Sequence, residues 1–218
     1  GGVITAPKNA VSIASTNYAS ISGGTITAEG NAAACGVYMG SASTVQITGG
    51  TITARGPAAC GISNENGGTV NFSGGSVTAI ANTDQGTACG ILNQSTGATS
   101  GKVNVSGGDI TAKAGDGVAD ALAYGLKHTG NNANTAVTIT GGAIASESAF
   151  GDSSAVFDER NVSGISKSVS ISGDTTVLKS ASPYTVRREK ASSWAGLSYF
   201  GVSFYTNNLG VVALQGVT

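Results

Sequence analysis

ISGGTITAEG at residues 21–30 is written again, almost letter for letter, as ITGGTITARG at residues 47–56. The phrase returns in worn form as GGSVTA at 74–79, GGDITA at 107–112 and GGAIAS at 141–146, and it opens the chain as GGVITA at 1–6. A degenerate copy starts at Gly173, where Asp174 stands in place of the second glycine. Self-similarity at intervals of 22 to 34 residues is the mark of stacked structural repeats. The uneven interval argues against fixed-period helical repeats such as ankyrin. The scarcity of Leu argues against a leucine-rich repeat.

Each repeat carries three strand signals. The first follows the Gly pair, as in Thr25-Ile26-Thr27-Ala28 and Thr51-Ile52-Thr53-Ala54. Period-two alternation sends Ile26 and Ala28 to one face and both Thr to the other. Ile4, Ile52, Val77, Ile110 and Ile144 are the matching inward residues. The second signal is ACGV at 34–37, ACGI at 59–62 and 88–91, and AYGL at 123–126. The third precedes the next Gly pair, with Val45, Val70, Val103, Val137 and Val169 as inward residues. β-Branched residues favour strands, and one coil cannot bury its own apolar face. Stacking coils in parallel converts each inward position into a ladder. The expected fold is therefore all-β: a right-handed parallel β-helix of about six to seven coils with three strands per coil. Its repeats should span residues 1–183, and residues 184–218 should form an atypical aromatic C-terminal cap or last irregular coil. Five of the 12 aromatics lie between Trp194 and Tyr205. They suit an end cover or, alternatively, a sugar-stacking platform. The chain begins on a repeat phrase, so further coils or another domain are expected to precede it in a longer protein.

The phrases ISGGTITA, ITGGTITA and VSGGDITA resemble the pectin-lyase-like parallel β-helix repeats of bacterial cell-surface and adhesin proteins. They are also similar to those of β-helical carbohydrate-binding proteins from plant-fibre-degrading bacteria. The resemblance covers residues 1–175. It implies an extracellular, cell-surface location, an adhesive role, and a glycan or host-surface ligand.

Composition excludes several other classes. Of 218 residues 34 are Gly, 40% are hydrophobic and 11% are charged, and the net charge is −1. Such a chain can build a core and is not disordered by charge. It offers no basic field for nucleic acid or an anionic membrane surface. No run of about 20 apolar residues would insert into a bilayer.

The residues that could carry chemistry are few. Cys35, Cys60 and Cys89 share one repeat position and should stack in that order, with Tyr124 continuing the ladder. They read as small core hydrophobes, although a disulfide between adjacent coils is within reach. A colinear ladder does not suit a tetrahedral metal, and His128, the only histidine, lies elsewhere in the repeat. Asp84, Asp116, Asp120 and Asp152 fall at one corner of three successive coils. Stacked loops would gather them around calcium, the one cofactor considered, or leave them as solvated acids. Arg187-Arg188-Glu189-Lys190 reads as a solvated loop. Thr25, Thr27, Thr51 and Thr53 form outward Thr-x-Thr rows that could meet a ligand, ice being the minor alternative. The loops from Ile80 to Thr87 and from Lys113 to Ala123 are the expected sites of weak, multivalent glycan contact. No catalytic residue stands out, so a structural or adhesive module is expected ahead of a polysaccharide lyase or hydrolase.

Overall fold

The structure, a computed structural model, describes residues 1–94, 100–129, 134–150, 152–159, 168–182, 184–189, 197–199, 202–204 and 212–214. Its strands, in chain order, begin with β1 (Val3–Ala6), β2 (Asn9–Ile13), β3 (Tyr18–Glu29), β4 (Ala33–Met39), β5 (Thr44–Gly56), β6 (Ala58–Asn64), β7 (Thr69–Phe72), β8 (Ser76–Ala81) and β9 (Thr87–Asn93). They continue with β10 (Lys102–Ala114), β11 (Leu122–His128), β12 (Ala136–Ser146), β13 (Ser154–Glu159), β14 (Ser168–Ile171), β15 (Thr176–Ser180), β16 (Tyr184–Glu189), β17 (Leu197–Tyr199), β18 (Val202–Phe204) and β19 (Val212–Leu214). No helix occurs among the described residues, so none there is long and apolar enough to cross a membrane.

The chain alternates between two sheets. The first, of 11 strands, runs β1-β3-β5-β7-β10-β12-β14-β17-β18, with β8 and β15 beside their neighbours. The second, of eight strands, runs β2-β4-β6-β9-β11-β13-β16 and ends on β19. Each return lays a new strand parallel to the previous one, and antiparallel pairing enters only at β17–β18 and β16–β19. The boundary expected at 183/184 falls between two such strands, because β16 still pairs in parallel with β13. Trp194, Phe200 and Tyr205 of the expected aromatic cap lie outside the described residues.

Both apolar ladders are present. Register partners run Ile26–Ile52–Val77–Ile110–Ile144 and Val45–Val70–Val103–Val137–Val169, and all ten are buried. The second sheet answers with Val37, Ile62, Ile91, Leu126, Val156 and Val186 in the same core. Ile4 departs from the expectation. It pairs with Ile26 yet is 46% exposed, because β1 is the outermost described strand and has a neighbour on one side only.

The three strand signals of each repeat are all strands, but the two flanking the Gly pair belong to one sheet. They merge into single strands in β3, β5, β10 and β12, with a register irregularity where the pair sits. In the internal pairs the second glycine, Gly24, Gly50, Gly75, Gly108 or Gly142, has a positive φ, from 79° at Gly108 to 93° at Gly50. A side chain there would strike the next rung: a Cβ on Gly75 would lie 2.6 Å from the Gly50 carbonyl oxygen. The phrase thus repeats for two reasons, since the inward residue needs a like neighbour and the bend needs glycine at every level.

ACG has the same logic. A Cβ on Gly36, Gly61, Gly90 or Gly125 would lie 2.2 to 2.6 Å from the methyl of Ile52, Val77, Ile110 or Ile144, respectively. Glycine is therefore the inward residue of that trio, and the Ile ladder of the first sheet fills the space its missing side chain leaves. Gly75→Ala should destabilise the fold by about 1–3 kcal/mol from backbone conformation alone, and more through the clash. Gly23→Ala, whose new methyl meets nothing within 4 Å, should be nearly neutral. Urea denaturation of both variants checks the contrast, and equal midpoints would refute the assignment of the bend to the second glycine.

Candidate functional site

The ACG glycines point into the core, so the cysteines beside them are turned to the outer face of the second sheet. Cys35, Cys60 and Cys89 are successive register partners, and Tyr124 continues the column as expected. Their burial has another source than the main core. Cys89 packs in a separate cluster with Tyr124 and Phe157, against which Cys60, Leu92 and Leu122 lie partly buried. The reading of the thiols as small core hydrophobes holds for Cys35 and Cys89, which are buried, while Cys60 is only partly so. All three are free thiols. The Cys35 and Cys60 Sγ groups donate to the Val37 and Ile62 carbonyls at 3.2 and 3.3 Å.

Three residues further along each strand lies a second outward column, Tyr38–Ser63–Leu92–Lys127–Phe157–Arg187. Small residues, Ala58, Cys60 and Ser63, sit between Tyr38 on one side and Leu92 on the other. The result is a groove of about 720 Å³ that Lys8, Cys35, Glu65, Gln94, Lys127 and Thr129 help to line. Glu65 is its organising polar group. Its carboxylate accepts from the Tyr38 hydroxyl at 3.1 Å and from Ser63 Oγ at 3.0 Å. The hydrogen bond to Glu65, then the charge of Glu65 and burial, raise the Tyr38 pKa above its ordinary value. Lys127, which lines the groove, also belongs to a neighbouring stack of rings and cations. The Tyr124 and Phe157 rings are 4.8 Å apart, and Lys127 Nζ lies 4.9 Å from the Tyr124 centroid.

Arg187 belongs to that stack, which corrects its reading as part of a solvated loop. It is a strand residue of β16, only 7% exposed, and its guanidinium pairs with Asp152 at 2.7 Å. It also lies over the Phe157 and Tyr184 rings. Lys190 lies outside the described residues.

The four aspartates are not brought together. Asp84 Oδ1 accepts from the Ala119 amide at 3.2 Å, which ties its loop to the segment carrying Asp116 and Asp120. Asp152 is engaged by Arg187 instead. Among the described residues no group of three or more His, Cys, Asp or Glu side chains is placed to hold a metal ion. Thr87 lines the groove, but residues 80–86 and 113–123 do not.

The outward threonines do align. Thr25 pairs with Thr51, and that column then breaks to Ser76, Asp109 and Ala143. The neighbouring column is longer than the sequence reading found: Thr5, Thr27, Thr53, Thr78 and Thr111 stand in register over five rungs. Reading along each phrase hides it; reading down the same position of successive phrases shows it.

The sequence reading also missed a buried polar column, Asn64–Asn93–His128–Asp158, in which no member is more than 1% exposed. Asn64 Nδ2 donates to Asn93 Oδ1 at 2.9 Å, and Asn93 Nδ2 lies 3.2 Å from His128 Nδ1. That order makes Nδ1 the acceptor. Asn64 also exchanges bonds of 2.8 and 2.9 Å with the Gly68 backbone, so the column fastens the turns that leave the second sheet. The signal was present: GISN, GILN, GLKH and AVFD align, and their last letters name the column.

No protein family, curated protein or solved structure matches the chain. The groove must therefore be read from its own geometry. Burial raises the Cys89 pKa from 9.0 to about 11 against the opposing charge of Lys127. The neighbouring Cys35 thiol, then burial, raises that of Cys60 well above the ordinary thiol value. The folded state therefore prefers neutral thiols. The stability this contributes is intact below pH 9 and is lost as pH rises toward 11. For Cys89 the full change corresponds to roughly 3 kcal/mol. Urea midpoints should fall between pH 9 and 11, and Cys89→Ala should make that fall shallower. An equally steep fall in the variant would show that Cys89 is not buried as described.

Proposed function

We propose that this chain is a module of an extracellular bacterial surface protein that holds a glycan in the groove over Cys60 and Ser63. The module itself is proposed to be a right-handed parallel β-helix with three strand segments per coil. Right-handedness is supported by the general hand of parallel crossovers. The alternation of the chain between two parallel-paired sheets supports the coil.

The observation that carries the functional reading is the groove's composition. The Tyr38 ring offers an apolar face for the C–H side of a sugar. The Glu65 carboxylate, already aimed by Tyr38 and Ser63, can accept from sugar hydroxyls, while Gln94 and Thr129 can donate and accept. Lys8 and Lys127 suit an acidic substituent. The volume of about 720 Å³ falls in the range of small-ligand sites. A groove this shallow binds weakly alone, and copies displayed on a surface would compensate by avidity.

A glycan array probed with multimerised protein tests the reading. Binding should be lost in Tyr38→Ala and reduced about tenfold or more in Glu65→Gln, one charge-assisted hydrogen bond being worth about 1.5–3 kcal/mol. Binding that survives both changes removes the groove as the site, and release of shortened glycan from the array would favour the lyase or hydrolase reading.

A second reading rests on the five-rung threonine column. A regular, uncharged hydroxyl array on a flat sheet face suits ordered water, and ice binding is its sharpest form. Thr53→Tyr, in the middle of the column, should then abolish thermal hysteresis. Absence of hysteresis in the unaltered protein ends this reading.

A further inference from the structure

We propose that Cys35 and Cys60 form a site for one soft monovalent metal ion of the Cu(I) class, held in a line between the two sulfurs. The proposal is independent of whether the groove takes a glycan. The two residues are register partners on adjacent parallel strands, so their side chains leave the sheet in the same direction, about 4.8 Å apart. A metal–thiolate bond of about 2.3 Å on each side spans about 4.6 Å, close to the distance the sheet imposes. Both thiols take the same orientation, each donating to the carbonyl two residues on, Cys35 to Val37 at 3.2 Å and Cys60 to Ile62 at 3.3 Å, so the two sulfurs stand alike one rung apart without an ion.

The ligand set selects the ion. Zinc in a structural site takes four ligands and calcium six to eight oxygens, and no group of three His, Cys, Asp or Glu able to hold a metal exists among the described residues. Two thiolates are what a soft ion prefers, and the hard donor of the groove, Glu65, is already engaged by Tyr38 and Ser63. Ala33, Ala34, Ala58 and Ala59 line the same cavity and offer no competing side-chain ligand. Cys60 is only partly buried, so an ion can enter from the groove.

The exchange balances without an oxidant. Each thiol releases its proton to solvent, and a lone pair of each sulfur forms one bond to the metal. Two protons leave, two metal–sulfur bonds form, and the metal keeps its oxidation state. The resulting bis-thiolate unit carries one negative charge, which Lys8 and Lys127, both lining the cavity, offset.

Reduced protein titrated without oxygen against bicinchoninate, a chromogenic Cu(I) chelator, should withdraw one ion per chain. Native mass spectrometry should show that ion with two protons missing. Cys35→Ser and Cys60→Ser should each weaken binding by more than about 100-fold, since loss of a ligand exceeds loss of an outer partner. Cys89→Ser should still take up the ion. Circular dichroism before titration separates a lost site from a lost fold. X-ray absorption of the loaded, unaltered protein needs no variant and should show two sulfur neighbours in linear geometry. No uptake by the folded protein, three or more sulfur neighbours, or a loss in Cys89→Ser equal to that in Cys35→Ser would overturn the proposal.

Discussion

In-register parallel pairing is the constraint on which this structure depends. When strands from successive passes lie side by side with no offset, every residue has as its closest neighbours the residues at the same repeat position. A column can then hold only what tolerates its own kind. β-Branched apolar residues satisfy this inside, as the Ile and Val ladders do, because each buries its flanks on the rungs above and below. Glycine satisfies it at the bend, where the carbonyl of one rung fills the space of the next rung's missing side chain. The repeat in the letters is the trace of that rule.

The same rule governs the less usual columns. A lone buried Asn would leave amide groups unbonded at a cost of about 1–3 kcal/mol. Stacked amides solve this for one another, and Asn64 and Asn93 do so at 2.9 Å before passing the chain of bonds to His128. Stacked thiols repeat one orientation, Cys35 and Cys60 each donating to the carbonyl two residues on. Stacked rings and cations alternate on the same sheet face, where Lys127 and Arg187 lie over Tyr124, Phe157 and Tyr184. Like-on-like stacking therefore produces chemistry as well as stability. It places identical functional groups at a fixed, short separation that loops seldom maintain.

The groove arises from a break in that uniformity. Along one outward column the side chains run Tyr38, Ser63, Leu92, Lys127, and the small member leaves a hollow between large ones. Glu65, two residues beyond Ser63, reaches back to Ser63 and across to Tyr38. The site thus needs three rungs with different residues, whereas the core needs many rungs with similar ones. This division suits a repeat protein, whose stability is summed over neighbours while its specificity lies in local departures.

The sequence by itself determined the all-β class, the inward ladders and the stacking order of the cysteines. These are properties of position within a repeat, and periodicity writes them directly into the letters. Only the tertiary structure decided which way the cysteines face, that the strands flanking each Gly pair share one sheet, and that Arg187 is buried against Asp152. It alone drew Tyr38, Ser63 and Glu65 into one hollow and left the four aspartates apart. The physical reason is that these facts depend on where a strand bends and on what the opposite sheet presents. The Ile52 methyl that makes Gly36 the inward residue, and so turns Cys35 outward, is 16 residues away in the chain, yet it would lie 2.4 Å from a Cβ placed on Gly36.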